Sequence, residues 1–442
     1  MFKSLRPDSF GPKGFSCLLF VSNSLLYARQ IEARLQLRFK PAFQSLVFAF
    51  AVYCVSLLVI LGGAGAAAFI NGDDISVAFD PLFVSYDSFH YMRIVDNGYS
   101  YDPERQSEVA FFPGYPIAGF VLKSLFRLET ANALRIVSNV CFLCVLWMID
   151  YFKLARPFGD AAESKPIDET GKWDASRWAV VILGLYAPAI FMRMAYSEAM
   201  FLLVVTGAFT CVRANRIWAA ALLIGLASGI RPVGIGLILG CWFAGYRRQN
   251  NVGRRIMELL VMSAICSVGV IAYATYLGWK FNAPLAFVHA QRYWSKRDIL
   301  ILEEKLFALS IAEPIWSVYT PGCACFWRDQ SPQNPFLNIW FQNPLIYVAV
   351  IAMVIVAKRR KWIEMTGFLF AFGLLAIPNL TRSYEWCMNS HARFTCVILP
   401  FYLAVGCWMQ KQNLLVRWLA LTLLATWLAS YAAMFALGLP VF

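Results

Sequence analysis

The sequence predicts an all-α bundle of membrane-crossing helices. Three observations predict it. Of 442 residues, 60% are hydrophobic and only 15% charged, more apolar surface than one soluble core can hide. The apolar residues fall in long runs rather than in alternation, so the helical period and not the strand period governs them. The basic residues collect in short clusters beside those runs, as they do in cytoplasmic loops.

Apolar runs long enough to cross a bilayer, or nearly so, lie at about 43–70, 133–152, 178–195, 197–213, 216–230, 232–246, 256–278, 343–357, 363–380, 393–409 and 415–438. Several are shorter than the roughly 20 residues a lone helix needs, so some are expected to be tilted, broken or re-entrant. Nine to eleven crossings follow. The first apolar run, Gly14 to Tyr27, is short, interrupted at Ser22–Ser24, and has no small-residue cleavage site after it. It reads as an interfacial segment within a cytoplasmic stretch 1–40, ahead of a membrane domain 41–442.

With the N-terminus inside, the inner segments 1–40, 153–177, 213–216, 247–255, 358–361 and 411–417 carry 24 Lys and Arg, against 14 outside. Arg247-Arg248, Arg254-Arg255 and Lys358-Arg359-Arg360-Lys361 set the orientation. The net charge of +13 is therefore a topology signal and not a nucleic-acid-binding face. Eight of the twelve cysteines sit in apolar runs, where Cys acts as a small hydrophobe. Cys323, Cys325 and Cys387 lie in loops; a disulfide there is allowed but no pairing follows.

In this orientation the two long loops, 71–130 and 280–342, face outward, as do all three histidines, His90, His289 and His391. A chemical site, if present, faces outward too. The first loop carries Tyr86-Asp87-Ser88-Phe89-His90-Tyr91. Residues 85–96 lack Gly and Pro and suit a short amphipathic surface helix that Gly98 ends. Asp87 and His90, three apart, share a face. They read as a general base with a tuning partner, or as a solvated acidic turn with aromatic anchors. Phe112-Pro113-Gly114-Tyr115-Pro116 is a stiff bend, either purely structural or pinning Asp87 in place.

Four more polar breaks point the same way. Tyr196-Ser197-Glu198, near Arg193, puts a carboxylate at the hydrocarbon edge: a solvated hairpin tip, or a sugar-hydroxyl acceptor. Gly229-Ile230-Arg231-Pro232 breaks an apolar stretch, and Arg231 suits a bidentate phosphate contact or snorkelling. His289, Gln291, Arg292, Trp294, Lys296 and Arg297 mix cations and aromatics suited to a lipid phosphate and a sugar face, or to headgroup anchoring. Ser390-His391-Ala392-Arg393-Phe394 opens a late helix whose N-terminal end favours anions.

Taken in order, these residues resemble the PIG-V type of glycosylphosphatidylinositol mannosyltransferases, within the GT-C group of membrane glycosyltransferases. The carriers are Tyr86-Asp87-Ser88-Phe89-His90-Tyr91, Gly98-Tyr99, Ala110-Phe111-Phe112-Pro113-Gly114-Tyr115-Pro116, Tyr196-Ser197-Glu198-Ala199, Ala227-Ser228-Gly229-Ile230-Arg231, and the final Arg393 and Pro400. Tyr86 stands where Trp is usual, and Pro232-Val233 replaces Ser-Asn, departures that favour a bacterial homologue with another acceptor. The resemblance implies a GT-C fold and a polyprenyl- or dolichyl-phosphate-linked mannose donor. It implies a lipid-linked or glycan acceptor, inversion at the anomeric carbon, Asp87 as base, no cofactor and no obligatory metal. The membrane is expected to be a bacterial inner membrane with the site facing the periplasm, or the endoplasmic reticulum with a lumenal site. Arg231, Arg393 and Arg292 are the candidate phosphate-binding groups. Glu198, Gln291, Tyr86, Tyr115, Trp294 and His391 are the candidates for sugar and acceptor. Two other classes compete: a lipid or lipid-linked-sugar flippase, which predicts midplane polar residues and internal repeats, and a non-catalytic scaffold subunit.

Overall fold

The computed structural model describes residues 12–72, 74, 79, 82–155, 173–246, 251–298 and 300–439, with side chains from Lys40 onward. Arg247-Arg248, the start of the chain and most of the inner loop 153–177 lie outside the described residues, as do the side chains of Gly14–Tyr27. The chain divides into two units, Met1–Phe48 and Ala49–Phe442. The first is helical from Pro12; the packing and the site described below lie in the second. Among the described residues there is no β-strand.

The first helix, α1 (Pro12–Asn71), contains a 32-residue apolar stretch, Lys40–Asn71. The surface helix expected at 85–96 is α2 (Asp87–Asn97), ended by Gly98 at φ 76, a left-handed backbone that glycine adopts without strain. The Pro-Gly-Tyr-Pro bend opens α3 (Gly114–Phe126), followed by α4 (Thr130–Tyr151) and α5 (Ala175–Leu185). Then come α6 (Glu198–Arg213) and α7 (Ile217–Ile230), a 3₁₀ stretch Pro232–Leu237, and α8 (Ile238–Tyr246). The pair α9 (Val252–Cys266) and α10 (Val268–Phe281) is bent by 53°. After the outer-loop helix α11 (Leu302–Ser310) the chain closes with α12 (Ile339–Arg359), α13 (Met365–Arg382), α14 (His391–Thr395), α15 (Leu399–Gln410) and α16 (Leu414–Ala436).

Among the described residues, five helices are long and apolar enough to cross a bilayer: the Lys40–Asn71 stretch, α4, α12, α13 and α16. Counted as one broken span, the bent pair α9–α10 makes a sixth. The other expected crossings fold as shorter helices. The 14 residues of α7 reach only about 21 Å at 1.5 Å per residue, less than the ~30 Å of hydrocarbon. For α7 the shortness has a cause in the sequence: it stops at a polar break. Arg231 leaves the helix in extended backbone (φ −146, ψ 135) because Pro232 cannot continue the ladder.

Close backbone packing gathers those breaks. A Cβ on Gly114 would meet Ile230 Cγ1 at 2.7 Å and the Gly229 carbonyl at 3.1 Å, so only glycine lets the start of α3 lie against the end of α7. Gly236 and Gly373 press backbone to backbone, seating the Pro232 break against α13. The two outer loops are also stitched together. Gln291 Nε2 donates to the Ala110 carbonyl (3.3 Å) and Gln106 Nε2 to that of Tyr293 (3.0 Å), while from α10 Tyr273 Oη donates to the Val109 carbonyl (3.0 Å). Beneath them Val109, Phe112, Tyr273, Leu277, Ala286 and Ala290 form a dry core.

Candidate active site

Five stretches of chain meet around a cavity of about 370 Å³. The first outer loop supplies Asp87, Tyr91 and Phe111; the α7 break supplies Arg231; the second outer loop supplies Gln291, Trp294 and Lys296. The end of α13 brings Arg382 and the next segment Trp386, and α14 brings Arg393.

The charged centre is a chain of ion pairs. Glu198, in the first turn of α6, is fully buried. Its Oε1 accepts from Arg231 Nη1 (2.5 Å) and from Arg393 Nε (2.5 Å). Arg393 then reaches forward, its Nη1 donating to Asp87 Oδ2 at 2.6 Å. A buried carboxylate persists only when paired, and here two guanidiniums pair it. The turn 193–198 is therefore not a solvated hairpin tip: Arg193, Tyr196, Ser197 and Glu198 are all fully buried. Asp87 is the outermost of the carboxylates, with a side chain 22% exposed. Tyr91 Oη donates to Ser197 Oγ (2.8 Å), and Arg231 Nη1 also reaches that hydroxyl at 3.2 Å. Burial, then the nearby Glu198 charge, pushes the Tyr91 phenol up, so it stays a protonated donor.

His90 stands behind the cavity wall. Its ring stacks on Phe111 (4.6 Å between centroids) and meets the edge of Trp294 (6.0 Å). Its Nδ1 lies 2.8 Å from Arg93 Nη2 and 3.8 Å from Glu108. Burial lowers the imidazole's pKa, against the pull of Asp87, so the neutral ring accepts from Arg93. Burial raises the Glu108 carboxyl, but bonds from Ser100, its own backbone and Arg93 outweigh that and hold it below the ordinary carboxylate value.

Of the expected residues, the structure thus joins Asp87, Glu198, Arg231, Arg393, Gln291 and Trp294 and sets His90 just behind. Four others do not line the cavity. Gln291 and Trp294, three apart in the 3₁₀ turn Ala290–Trp294, fall on one side, so Arg292 points outward and is exposed; Lys296 is the cation this loop brings to the cavity. Tyr86, held at φ 50 before α2, turns to Phe435 and to the Leu439 carbonyl (3.2 Å). Tyr115 is buried, its hydroxyl bonded to the Leu134 carbonyl and Ser138, and it ties α3 to α4. His391 is buried between Tyr347 and Phe394 with Nδ1 on the Asn389 carbonyl. The helix it opens has only five residues, too short for the expected anion-binding end. Arg382, Trp386 and Tyr91 were not among the expected site residues. Tyr91 had a signal, the closing aromatic of the Asp87 motif; Arg382 had none, being the polar end of a span.

A disulfide joins Cys325 of the second outer loop to Cys387, five residues past Arg382. Arg297 Nε bonds to both sulfurs, while its Nη1 pairs with Glu313 at 2.7 Å. The cavity segment and the inner basic run lie far apart: Asn343 Oδ1 accepts from the Ala392 amide (3.0 Å), and Lys358 follows roughly 22 Å further along α12.

Residues 64–434 match the family described as Mannosyltransferase (PIG-V). The human GPI alpha-1,6-mannosyltransferase 2 is 28% identical over 185 residues, 40% of this chain and 35% of its own length. The Mus musculus protein of that name is 25% identical over 211 residues, 46% of this chain and 40% of its own. The matched stretch thus spans well under half the length of these curated relatives. Among solved structures, an Archaeoglobus fulgidus oligosaccharyltransferase tethered to an acceptor peptide gives a TM-score of 0.45 at 11% identity, over 88% of this chain and 54% of that one.

Proposed function

Since the chain belongs to the Mannosyltransferase (PIG-V) family and is a multi-pass membrane protein, we propose that it moves mannose from a polyprenyl- or dolichyl-phosphate carrier to a hydroxyl of a lipid-linked or glycan acceptor, on the non-cytoplasmic face. The observation that carries this reading is the placement of Asp87 in a cavity it shares with four cations, Arg231, Lys296, Arg382 and Arg393. One carboxylate oxygen, Oδ2, is held by Arg393, which fixes the carboxylate's orientation. Oδ1 has no hydrogen-bond partner among the described residues and serves as the base.

The acceptor hydroxyl gives its proton to Asp87 Oδ1 as its oxygen attacks the anomeric carbon. The bond from that carbon to the phosphate oxygen breaks with inversion, and its electron pair leaves on the lipid phosphate. The main electrostatic demand falls on the leaving group, which cations already held in place meet with little reorganisation. Trp294, Phe111 and Trp386 give the sugar ring apolar faces. Glu198 acts through Arg393 and Arg231, and His90 through Phe111 and Trp294; both are positioning residues. The relatives are GPI alpha-1,6-mannosyltransferases by name; here the acceptor class stays the broader lipid-linked or glycan hydroxyl. Two features support the outward face: the basic bias of the opposite loops, and the Cys325–Cys387 disulfide, which persists in oxidising compartments.

The test is transfer of labelled mannose from polyprenyl-phosphate-mannose by the purified full chain in detergent. Asp87→Asn keeps an acceptor for Arg393 but removes the base. Transfer is expected to fall by about 10²–10⁴-fold. A folded Asp87→Asn protein with full activity would refute the assignment.

A further inference from the structure

Resting on the reading above, we propose that the carrier's phosphate is held by Arg382 and Lys296, and that Arg231 and Arg393 are positioning groups and not its primary ligands. The argument is a charge balance. Arg231 and Arg393 share the buried Glu198, and Arg393 also holds Asp87. Those two cations and two carboxylates cancel. Arg382 and Lys296 remain, so the cavity with its supporting Glu198 carries a net charge of about +2.

The buried Nη1 of Arg382 has no hydrogen-bond partner among the described residues. A buried donor left unmet costs about 1–3 kcal/mol, and a phosphate oxygen in the cavity would meet it. The guanidinium is oriented by its own surroundings, lying over the Trp386 ring with Cζ 4.3 Å from the centroid. Lys296 is brought to the same wall by backbone bonds: its amide donates to the Glu385 carbonyl (2.8 Å), and the Trp386 amide donates to the Arg382 carbonyl (2.9 Å). The disulfide at Cys387 anchors that segment to the second outer loop. The end of α13 and the second outer loop thus each bring one cation to a short, cross-linked segment.

The charge also suits the direction of reaction. A lipid-phosphate-sugar is a phosphodiester with one negative charge; the departing lipid phosphate is a monoester approaching two, its second pKa near 6. A +2 site binds the leaving group better than the substrate, which is the differential binding that lowers a barrier.

Binding of a polyprenyl phosphate, of the matching polyprenol, and of inorganic phosphate to the purified full chain tests this. Wild type is expected to hold the polyprenyl phosphate at least tenfold more tightly than the alcohol. Inorganic phosphate should compete weakly; competition as strong as the lipid's would overturn a lipid-headgroup site. Lys296→Gln and Arg382→Gln are each expected to weaken polyprenyl phosphate about tenfold or more and leave the polyprenol unchanged, with Arg382→Lys recovering part of the loss. Lys296 is exposed, so its variant judges the proposal even where Arg382→Gln unfolds the protein. Wild-type affinity for the phosphate lipid in Lys296→Gln and Arg382→Gln would overturn it, as would equal binding of phosphate lipid and alcohol by wild type. Phosphate-selective binding lost in both variants, with no mannose transfer by wild type, would sink the mannosyltransferase reading and leave this inference standing.

Discussion

Replacing Glu198 by Gln removes one negative charge and almost no volume, and the structure says what that does. The side chain is fully buried, and Oε1 receives two guanidinium donors, Arg231 and Arg393, each at 2.5 Å. With an effective dielectric near 20, a unit charge pair at 4 Å is worth about 4 kcal/mol, so two such contacts are lost together. The arginines are left with only Asp87 between them and with each other's repulsion. Breaking a buried pair by deleting one partner costs about 3–5 kcal/mol, most of it the uncompensated charge left behind. For a large helical protein that corresponds to a fall of roughly 6–10 °C in melting temperature, at about 2 °C per kcal/mol. The assay is thermal unfolding of purified protein in one detergent, comparing wild type, Glu198→Gln, Arg231→Gln and the double variant. Because the double variant restores the charge count, its destabilisation should be less than the sum of the singles by about 1–3 kcal/mol. Strict additivity, or a Glu198→Gln protein melting with wild type, would show that these three side chains do not form the buried network described here.

Three further outcomes are expected. Gly114→Ala places a Cβ 2.7 Å from Ile230 Cγ1 and must push α3 off the Arg231 break. A stability loss of about 1–3 kcal/mol with reduced transfer is expected, and unchanged melting and turnover would contradict the close approach. Cys387→Ser opens a covalent link between residues 62 apart in sequence. It should cost about 2–4 kcal/mol, and reductant should lower the wild-type melting temperature by the same amount while leaving the variant's unmoved. The pH dependence follows from His90, whose imidazole burial holds below its ordinary pKa. Between those two values the unfolded chain binds a proton the folded one does not. Stability is therefore complete above about pH 6.5 and declines as pH falls through the folded value. In His90→Gln that part of the acid sensitivity should vanish, and a superimposable stability–pH curve for the two proteins would refute the shift.

How much of this was legible beforehand depends on what each residue answers to. Arg231-Pro232 announced a break because proline removes a donor whatever surrounds it, and the break is where Arg231 leaves α7. Gly98 announced the end of α2 for a different local reason, a positive φ that glycine adopts without strain. Tyr86 and Tyr115 sat inside the right motifs, yet both side chains turn into packing, because side-chain direction depends on neighbours elsewhere in the fold, 353 residues away for Tyr86 and 19 for Tyr115. Arg292 and Lys296 were equivalent as letters; a short 3₁₀ turn and two backbone bonds to Glu385 decided between them.

From the amino-acid order alone came the helical class and the breaks at which polar groups interrupt apolar helices. Each rests on local chemistry: hydrocarbon demands satisfied backbone, and proline and glycine act on their own residue. Only the folded chain decided which charges cancel. The pairing of Arg393 with both Glu198 and Asp87 joins positions 195 and 306 apart. Electrostatic balance is a property of distances in space, and no spacing along a chain of 442 residues encodes them.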